Sequence, residues 1–344
     1  MASPIKSAAA AAVAALMLVG CSSPAPVASP SAAPGSAQTP ASAPPTSTPP
    51  VKVSIAIQPW LGYGAWYIAQ DQGYFAANNL QVELVDFEAD ADMLAALAAG
   101  KVDALNVASH GALQMVEQGV DAKIVLLEDA STTADAILTD GSITDVAGLK
   151  GKKVSYEEGT TSDLLLNYAL STKGLTIADI TKVPLGAAEA GAALIAGQVP
   201  AAVTYEPYIN QATSKKASVK VIYTAGEKEG LISDVLMVGS KLAKSDPATV
   251  TALIKSWGQA VDFYNANPDK GRAIIAAGVG EKPEDLTTAF DGVHLFSLAD
   301  NKTQLAGPYV TSTLPTVKDV AVKSGLLKGT ADPAAIVDAS FLPA

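Results

Sequence analysis

The groups in this sequence that could do chemistry are few and scattered. There are two histidines, His110 and His294, far apart in the chain, and one cysteine, Cys21. Without a second cysteine, no intrachain disulfide and no cysteine-based metal site can form. The patterns G-x-S-x-G, P-loop, H-E-x-x-H and a complete EF-hand loop are absent. Gly62-Tyr63-Gly64 lacks the third glycine of a dinucleotide fingerprint. Carboxylates stand in pairs at Asp90/Asp92 and Glu157/Glu158. Such pairs usually cap helices in solvent, and acid–base work would need a pocket that moves their pKa values. What remains suits holding a small molecule rather than transforming it. Two of the three tryptophans, Trp60 and Trp66, fall within seven residues, with Tyr63 between them.

The aromatic stretch has clear structural neighbours. Residues 51–57 alternate as a strand does, and Pro59, Gly62 and Gly64 then break regular structure. A helical pattern starts at Ala65 and stops at Gly73. A strand, a loop and a helix in this order put Trp60 and Tyr63 at the carboxyl edge of an open α/β sheet, where ligands bind. Trp66, on the helix, reads equally as a site aromatic or a core residue. Further strands are predicted at 80–87, 102–107 and 122–127. They alternate with a helix at 93–99, capped by the acidic loop 88–92, and with a helix opening at Ser109-His110-Gly111. This alternation predicts a parallel, right-handed α/β lobe.

A second lobe opens after Ala134-Asp135, with strands at 152–156, 180–185, 201–205 and 219–223. The polar turn 157–163 opens a helix at 164–173, Glu206-Pro207-Tyr208 opens another, and 234–238 reads as the return crossing. Residues 90–105 and 187–202 align without gaps as helix, glycine stop and buried strand, one copy in each lobe. Helices predicted at 247–265, 268–277, 283–290 and 304–327 pack on the first lobe. The expected division is a leader at 1–21, a tether at 22–50, a first lobe of 51–133 with 239–344, and a second lobe of 134–238.

Composition narrows the function. The net charge is −11 and lysines and arginines are not clustered, which excludes phosphate-directed nucleic-acid binding and attraction to anionic headgroups. Lys6 and the apolar run 7–19 form a signal-like leader too short to span a bilayer comfortably. Leu18-Val19-Gly20-Cys21 resembles the bacterial lipobox, so Cys21 is expected to be lipidated. Residues 22–50 are nearly all Ala, Pro, Ser and Thr without charge, a composition that extends and cannot bury a core.

The motif W-x-G-Y-G-x-W-Y-x-A-x-x-x-G-Y-F from Trp60 to Phe75 resembles the start of the mature substrate-binding proteins of nitrate/sulfonate/taurine-type ABC importers. Residues 150–162, 196–208 and the crossing at Asp234 extend the resemblance over most of 51–268. One departure is Tyr205, where the family pattern has Trp before Glu-Pro. The resemblance implies a type II periplasmic-binding fold: two α/β lobes joined by a hinge, with a helical C-terminal extension and a ligand clamped between the lobes. It implies no catalysis, no cofactor and no metal. The implied partners are a small solute and the permease and ATPase of an importer. The protein is read as a monomer outside the cytoplasm, lipid-anchored to a bacterial membrane.

Candidate contacts are Trp60, Tyr63, Glu88, Ser109 and His110 from the first lobe, Glu157, Thr160, Thr161, Tyr205 and Glu206 from the second, and Asp234 near the hinge. The ligand-edge segments carry acids and aromatics without Lys or Arg, which favours a small organic cation such as a guanidinium or amine compound. Backbone N–H groups at residues 160–163 keep a sulfonate, taurine or nitrate anion open as an alternative. Two other readings stand: an enzyme resembling the pyrimidine synthases of thiamine biosynthesis, and a surface receptor that passes its ligand to a sensor.

Overall fold

The structure is a computed structural model that describes residues 49–286 and 289–344. Cys21, the leader and the tether up to residue 48 lie outside the described residues. The strands, in chain order, are β1 (Val51–Ile57), β2 (Leu80–Asp86), β3 (Ala104–Ala108), β4 (Ala122–Ser131), β5 (Asp135–Thr139), β6 (Lys153–Tyr156), β7 (Thr181–Pro184), β8 (Ala201–Tyr205), β9 (Lys220–Thr224), β10 (Ser233–Gly239) and β11 (Val293–Leu295).

They form two sheets, in the orders β11-β4-β10-β3-β1-β2 and β7-β6-β8-β5-β9. β1 pairs in parallel with β2 and β3, and β6 in parallel with β7 and β8. In each sheet the next strand runs antiparallel: β10 lies between β3 and β4, and β5 between β8 and β9. The two sheets therefore repeat one plan, each with a reversed strand beside an outer strand of its parallel trio, β3 or β8. The chain passes between the sheets at both reversed strands, from β4 to β5 and from β9 to β10. The 90–105 and 187–202 copies occupy equivalent places. Their glycines, Gly100 and Gly197, take φ of +65° and +72°, a left-handed stop that side chains resist.

The structure departs from the sequence reading at several places, and the helix expected over 304–327 is split into Leu298–Leu305 and a stretch over 309–323. β4 does not end at residue 127 but runs on through Glu128 and Asp129, both fully buried. β10, assigned to the end of the second lobe, lies inside the first sheet. The helix expected over 283–290 is a short 3-10 turn, Pro283–Leu286, followed by β11 at the edge of the first sheet.

The first sheet is covered by C-terminal helices. Asp246 accepts from Thr249 N and Pro247 occupies the first turn, which starts the long helix Pro247–Ala266. That helix buries Leu253, Ile254, Trp257 and Val261. It packs on the helix Gly64–Asp71, where the rings of Trp66 and Trp257 stand 4.9 Å apart. Trp66 is a core residue: its side chain has no exposed surface, and its Nε1 donates to Asn106 Oδ1 and Glu128 Oε1, each at 2.8 Å. Among the described residues no helix is long and apolar enough to cross a membrane.

Candidate functional site

The carboxyl ends of the parallel strands of both sheets converge on one small chamber of about 30 Å³, space for about two waters. From the first sheet's side come Gln58, Trp60 and Tyr63, following β1, with Asp90 and with Ala108 at the end of β3. The second sheet contributes Glu157, Thr160 and Thr161, after β6, and Tyr205, the last residue of β8. The two crossings supply Asp135, Ile232 and Asp234. None of these residues is Lys or Arg.

Local chemistry fixes several of them. Thr160 Oγ1 donates to Glu157 O at 3.0 Å and accepts from Ser162 N at 3.3 Å, capping the helix Thr161–Ser171. Trp60 Nε1 donates to Asp129, 3.3 Å from each carboxylate oxygen. The Trp60 ring meets Tyr205 edge to face at 5.7 Å, so an aromatic from each side closes the chamber. Tyr205 in turn packs on Tyr208 at 5.5 Å.

Gly62 makes this packing possible. A Cβ there would stand 2.1 Å from Asp129 Oδ2 and 2.2 Å from Trp60 Nε1. Both neighbours are buried and cannot simply swing away. Gly62→Ala is expected to destabilise the protein by about 1–3 kcal/mol and to weaken ligand capture. Urea unfolding monitored by tryptophan fluorescence checks this; a variant as stable as the parent would contradict the packing described here.

The electrostatics are one-sided. Burial raises the carboxyl of Asp135 to about 7, against the pull of Ser131, and its Oδ2 has no hydrogen-bond partner among the described residues. Burial raises Asp90 to about 6, with Gln58 pulling it down. Glu157 rises to about 7 through burial and then through the charge of Asp90. Asp234 and Asp129, register partners on β10 and β4, are both pushed well up, first by burial and then by neighbouring carboxylates. The ion pairs Lys150–Asp179, Lys182–Glu158, Lys244–Asp121 and Arg272–Asp291 include no chamber residue.

The sequence-predicted residues divide between the chamber and its surroundings. Trp60, Tyr63, Glu157, Thr160, Thr161, Tyr205 and Asp234 line it. Ser109 does not: it is buried in a network with Ser233 and Tyr309, 2.9 and 2.8 Å away. His110 is also buried behind the lining; its Nε2 lies 3.4 Å from Gly159 O, and burial lowers its pKa to about 4, so it is neutral. Glu206 is buried and accepts from Asn210 N at 2.9 Å, outside the chamber lining. Glu88 is exposed and belongs to an outer groove of about 910 Å³ that shares Glu157 and Tyr205 with the chamber.

Gln58, Asp90, Ala108, Asp135 and Ile232 join the lining without having been singled out as contacts. An acid opening the otherwise apolar run 136–138 is the signal that could have pointed to Asp135. Among the described residues no group of three or more His, Cys, Asp or Glu is placed to hold a metal ion. The chamber contains neither a nucleophile–base pair nor a histidine; its groups can accept hydrogen bonds, surround positive charge and stack.

The family model described as NMT1/THI5 like matches residues 62–271. The chain belongs to this family. Over 289 residues it is 27% identical to a Brucella abortus protein named as a candidate binding protein, covering 83% of this chain and 88% of the relative. It is 26% identical over 203 residues to the taurine-binding periplasmic protein of Escherichia coli, covering 59% and 63% of the two chains. Among solved structures, this NMT1/THI5-like chain is similar to the periplasmic aliphatic sulphonate binding protein of Escherichia coli. There the TM-score is 0.70 at 21% identity, over 84% of this chain and 97% of that one. The architecture is that of periplasmic binding proteins.

Proposed function

We propose that this NMT1/THI5-like protein is the solute-binding component of an ABC importer, working outside the cytoplasm, and that its solute is a small organic cation. The supporting observation is the chamber itself. Asp90, Asp135, Glu157 and Asp234 line it together with Trp60, Tyr63 and Tyr205, and no basic side chain does. Carboxylates in such a place stay ionised only beside a positive partner. Each cation–π contact would contribute roughly 0.5–2 kcal/mol and each charge-assisted hydrogen bond roughly 1.5–3 kcal/mol. After the cost of association, such a set is compatible with micromolar affinity, about −8 kcal/mol.

The two lobes, one built on the first sheet with β10 and the C-terminal helices and the other on the second sheet from β5 to β9, close around the solute because the closed form binds it better. The protein performs no chemistry and hands its cargo to a permease driven by an ATPase. A lipid on Cys21 and the tether 22–50 hold the body at the membrane. Cys21→Ser is expected to leave unprocessed or released protein; membrane fractionation showing it retained and processed as the parent would reject the anchor.

Relatives named for taurine and sulfonates set the competing ligand class. An oxyanion here would draw on backbone N–H groups at the start of the helix Thr161–Ser171 and on the Gln58 amide and the hydroxyls of Tyr63, Thr160, Thr161 and Tyr205, all of which line the chamber. Thermal unfolding and calorimetry of the full chain with guanidinium, methylammonium, taurine, ethanesulfonate and nitrate separate the two. The cation reading expects stabilisation by cations of about 2.7 kcal/mol at a hundred times the Kd. Tight taurine, ethanesulfonate or nitrate binding that survives Glu157→Gln would overturn it.

A further inference from the structure

Two chamber carboxylates occupy matching places in the repeated plan. Asp234 is the second residue of β10, opposite Ala108 at the end of β3. Asp135 is the first residue of β5, opposite Tyr205 at the end of β8. β10 and β5 are the reversed strands of the two sheets, and each begins where the chain crosses from the other sheet. One acid therefore stands on each crossing, at the ligand edge, and both line the same chamber.

Both side chains are almost fully buried, each 4% exposed. Asp135 Oδ2 is buried without a hydrogen-bond partner among the described residues, and the charge of Asp135 is one of those that oppose ionisation of Asp234. No Lys or Arg lines the chamber to relieve them. The space is about 30 Å³, and Trp60 and Tyr205 meet across it at 5.7 Å. The head these groups suit is small and positive, and one of four heavy atoms, larger than the two waters this space holds, would enter with the Trp60 and Tyr205 rings parted.

We propose that Asp135 and Asp234 are the specificity-determining pair of this site, and that together they grip one planar N–C–N cation, a guanidinium or amidinium group. The proposal rests on the cationic solute-binding reading and narrows it. A carboxylate has two in-plane acceptors, which a guanidinium or amidinium matches with two parallel N–H donors. Two carboxylates arriving from separate strands need donors on separate edges of one flat ion. An ammonium offers three donors about a single point and cannot present a flat two-donor edge to each acid; Asp234 receives such an edge by giving up its contacts with Trp60 and Asp129. Bound between them, the planar cation replaces repulsion between the crossings with a shared counter-ion. The solute would then be held where the two sheets are joined, and its departure would free both crossings together.

Calorimetry of the full chain tests this with guanidinium, acetamidinium, methylammonium and taurine as probes. Guanidinium and acetamidinium should bind at least about tenfold tighter than methylammonium. Asp135→Asn and Asp234→Asn should each weaken guanidinium by about tenfold or more. The exposed Glu158→Gln, outside the chamber, should leave affinity unchanged. Asp135→Ser serves as a second variant should the amide perturb folding, and far-UV circular dichroism establishes that each variant is folded. Methylammonium binding as tightly as guanidinium would overturn the planar pair while leaving a cation site. Unchanged guanidinium affinity in folded Asp135→Asn would overturn the role of Asp135. Taurine binding with no response to any pure cation would overturn both this pair and the cationic reading beneath it.

Discussion

Trp66→Ala is expected to cost more stability than any other single substitution considered for this protein, roughly 5 kcal/mol or more. Trp66 is fully buried, lies between Phe75 at 6.1 Å and Trp257 at 4.9 Å, and donates to Asn106 and Glu128. Truncating a buried tryptophan removes about 3–5 kcal/mol. Each orphaned acceptor adds about 1–3 kcal/mol, and Glu128 is a carboxyl that burial already pushes well above its usual range. Domains hold together by only about 5–15 kcal/mol, so much of the population should unfold. Trp66→Phe keeps an aromatic ring but loses the N–H that serves both acceptors, and should cost about 2–6 kcal/mol. Urea midpoints of the two variants read the difference directly. A Trp66→Ala protein within about 2 kcal/mol of the parent would rule out the buried hydrogen-bonded indole.

The second large effect is on pH dependence. Ligand-free protein is expected to lose stability as pH rises from about 4 to about 7, the reverse of the common trend. The sign follows from Asp135, Glu157 and Glu206, each raised to about 7, and Asp90, raised to about 6. Below about pH 4 these groups carry a proton in both folded and unfolded chains, and no penalty exists. Between about 4 and 7 the unfolded chain releases the proton while the folded chain keeps it, so unfolding gains. For the almost fully buried Asp135 alone, moving from 3.8 to about 7 corresponds to on the order of 4 kcal/mol. His110, lowered by burial to about 4, works the other way between about 4 and 6.5 but is one group against four acids, and partly exposed acids such as Asp179, held low by Thr176, do so as pH falls below about 4. The maximum should lie near pH 4–5. Urea is the denaturant to use, since guanidinium is a candidate ligand. Equal or greater stability at pH 7.5 than at pH 4.5 in the absence of ligand would contradict the carboxylate arrangement.

Much of the scaffold was legible because it depends on local signals. β1 and β8 span the residues predicted for them, 51–57 and 201–205. The glycine stops of the repeat took the left-handed conformation that such stops need. The electrostatic part of the site was less legible, for a physical reason. Glu128 and Asp129 look like the polar end of a strand. They are buried within the sheet, where the indoles of Trp66 and Trp60, more than sixty residues earlier, donate to them. Asp135 reads as the lead into the second lobe, and Asp234, which lines the chamber with it, lies about a hundred residues further on. Ser109 has the right place in sequence at a helix start, yet Tyr309, from the far end of the chain, takes up its hydroxyl. Strand ends follow from neighbours in sequence, whereas the company a side chain keeps follows from the whole topology.

The reversed strands also impose an order on biosynthesis. β3 and β4 are not neighbours in the finished sheet; β10 fills the gap between them and bonds to both. Those seven residues, Ser233–Gly239, emerge about a hundred residues after β4 is complete. At a synthesis rate of about 5–20 residues per second, the nascent chain carries an open edge on β3 and both edges of β4 unpaired for roughly 5–20 s. Such edges invite pairing with other chains. The half-made protein therefore has an interval in which a holding chaperone can engage it before the sheet locks, and a truncation before Ser233 should yield an aggregating fragment rather than a smaller folded domain.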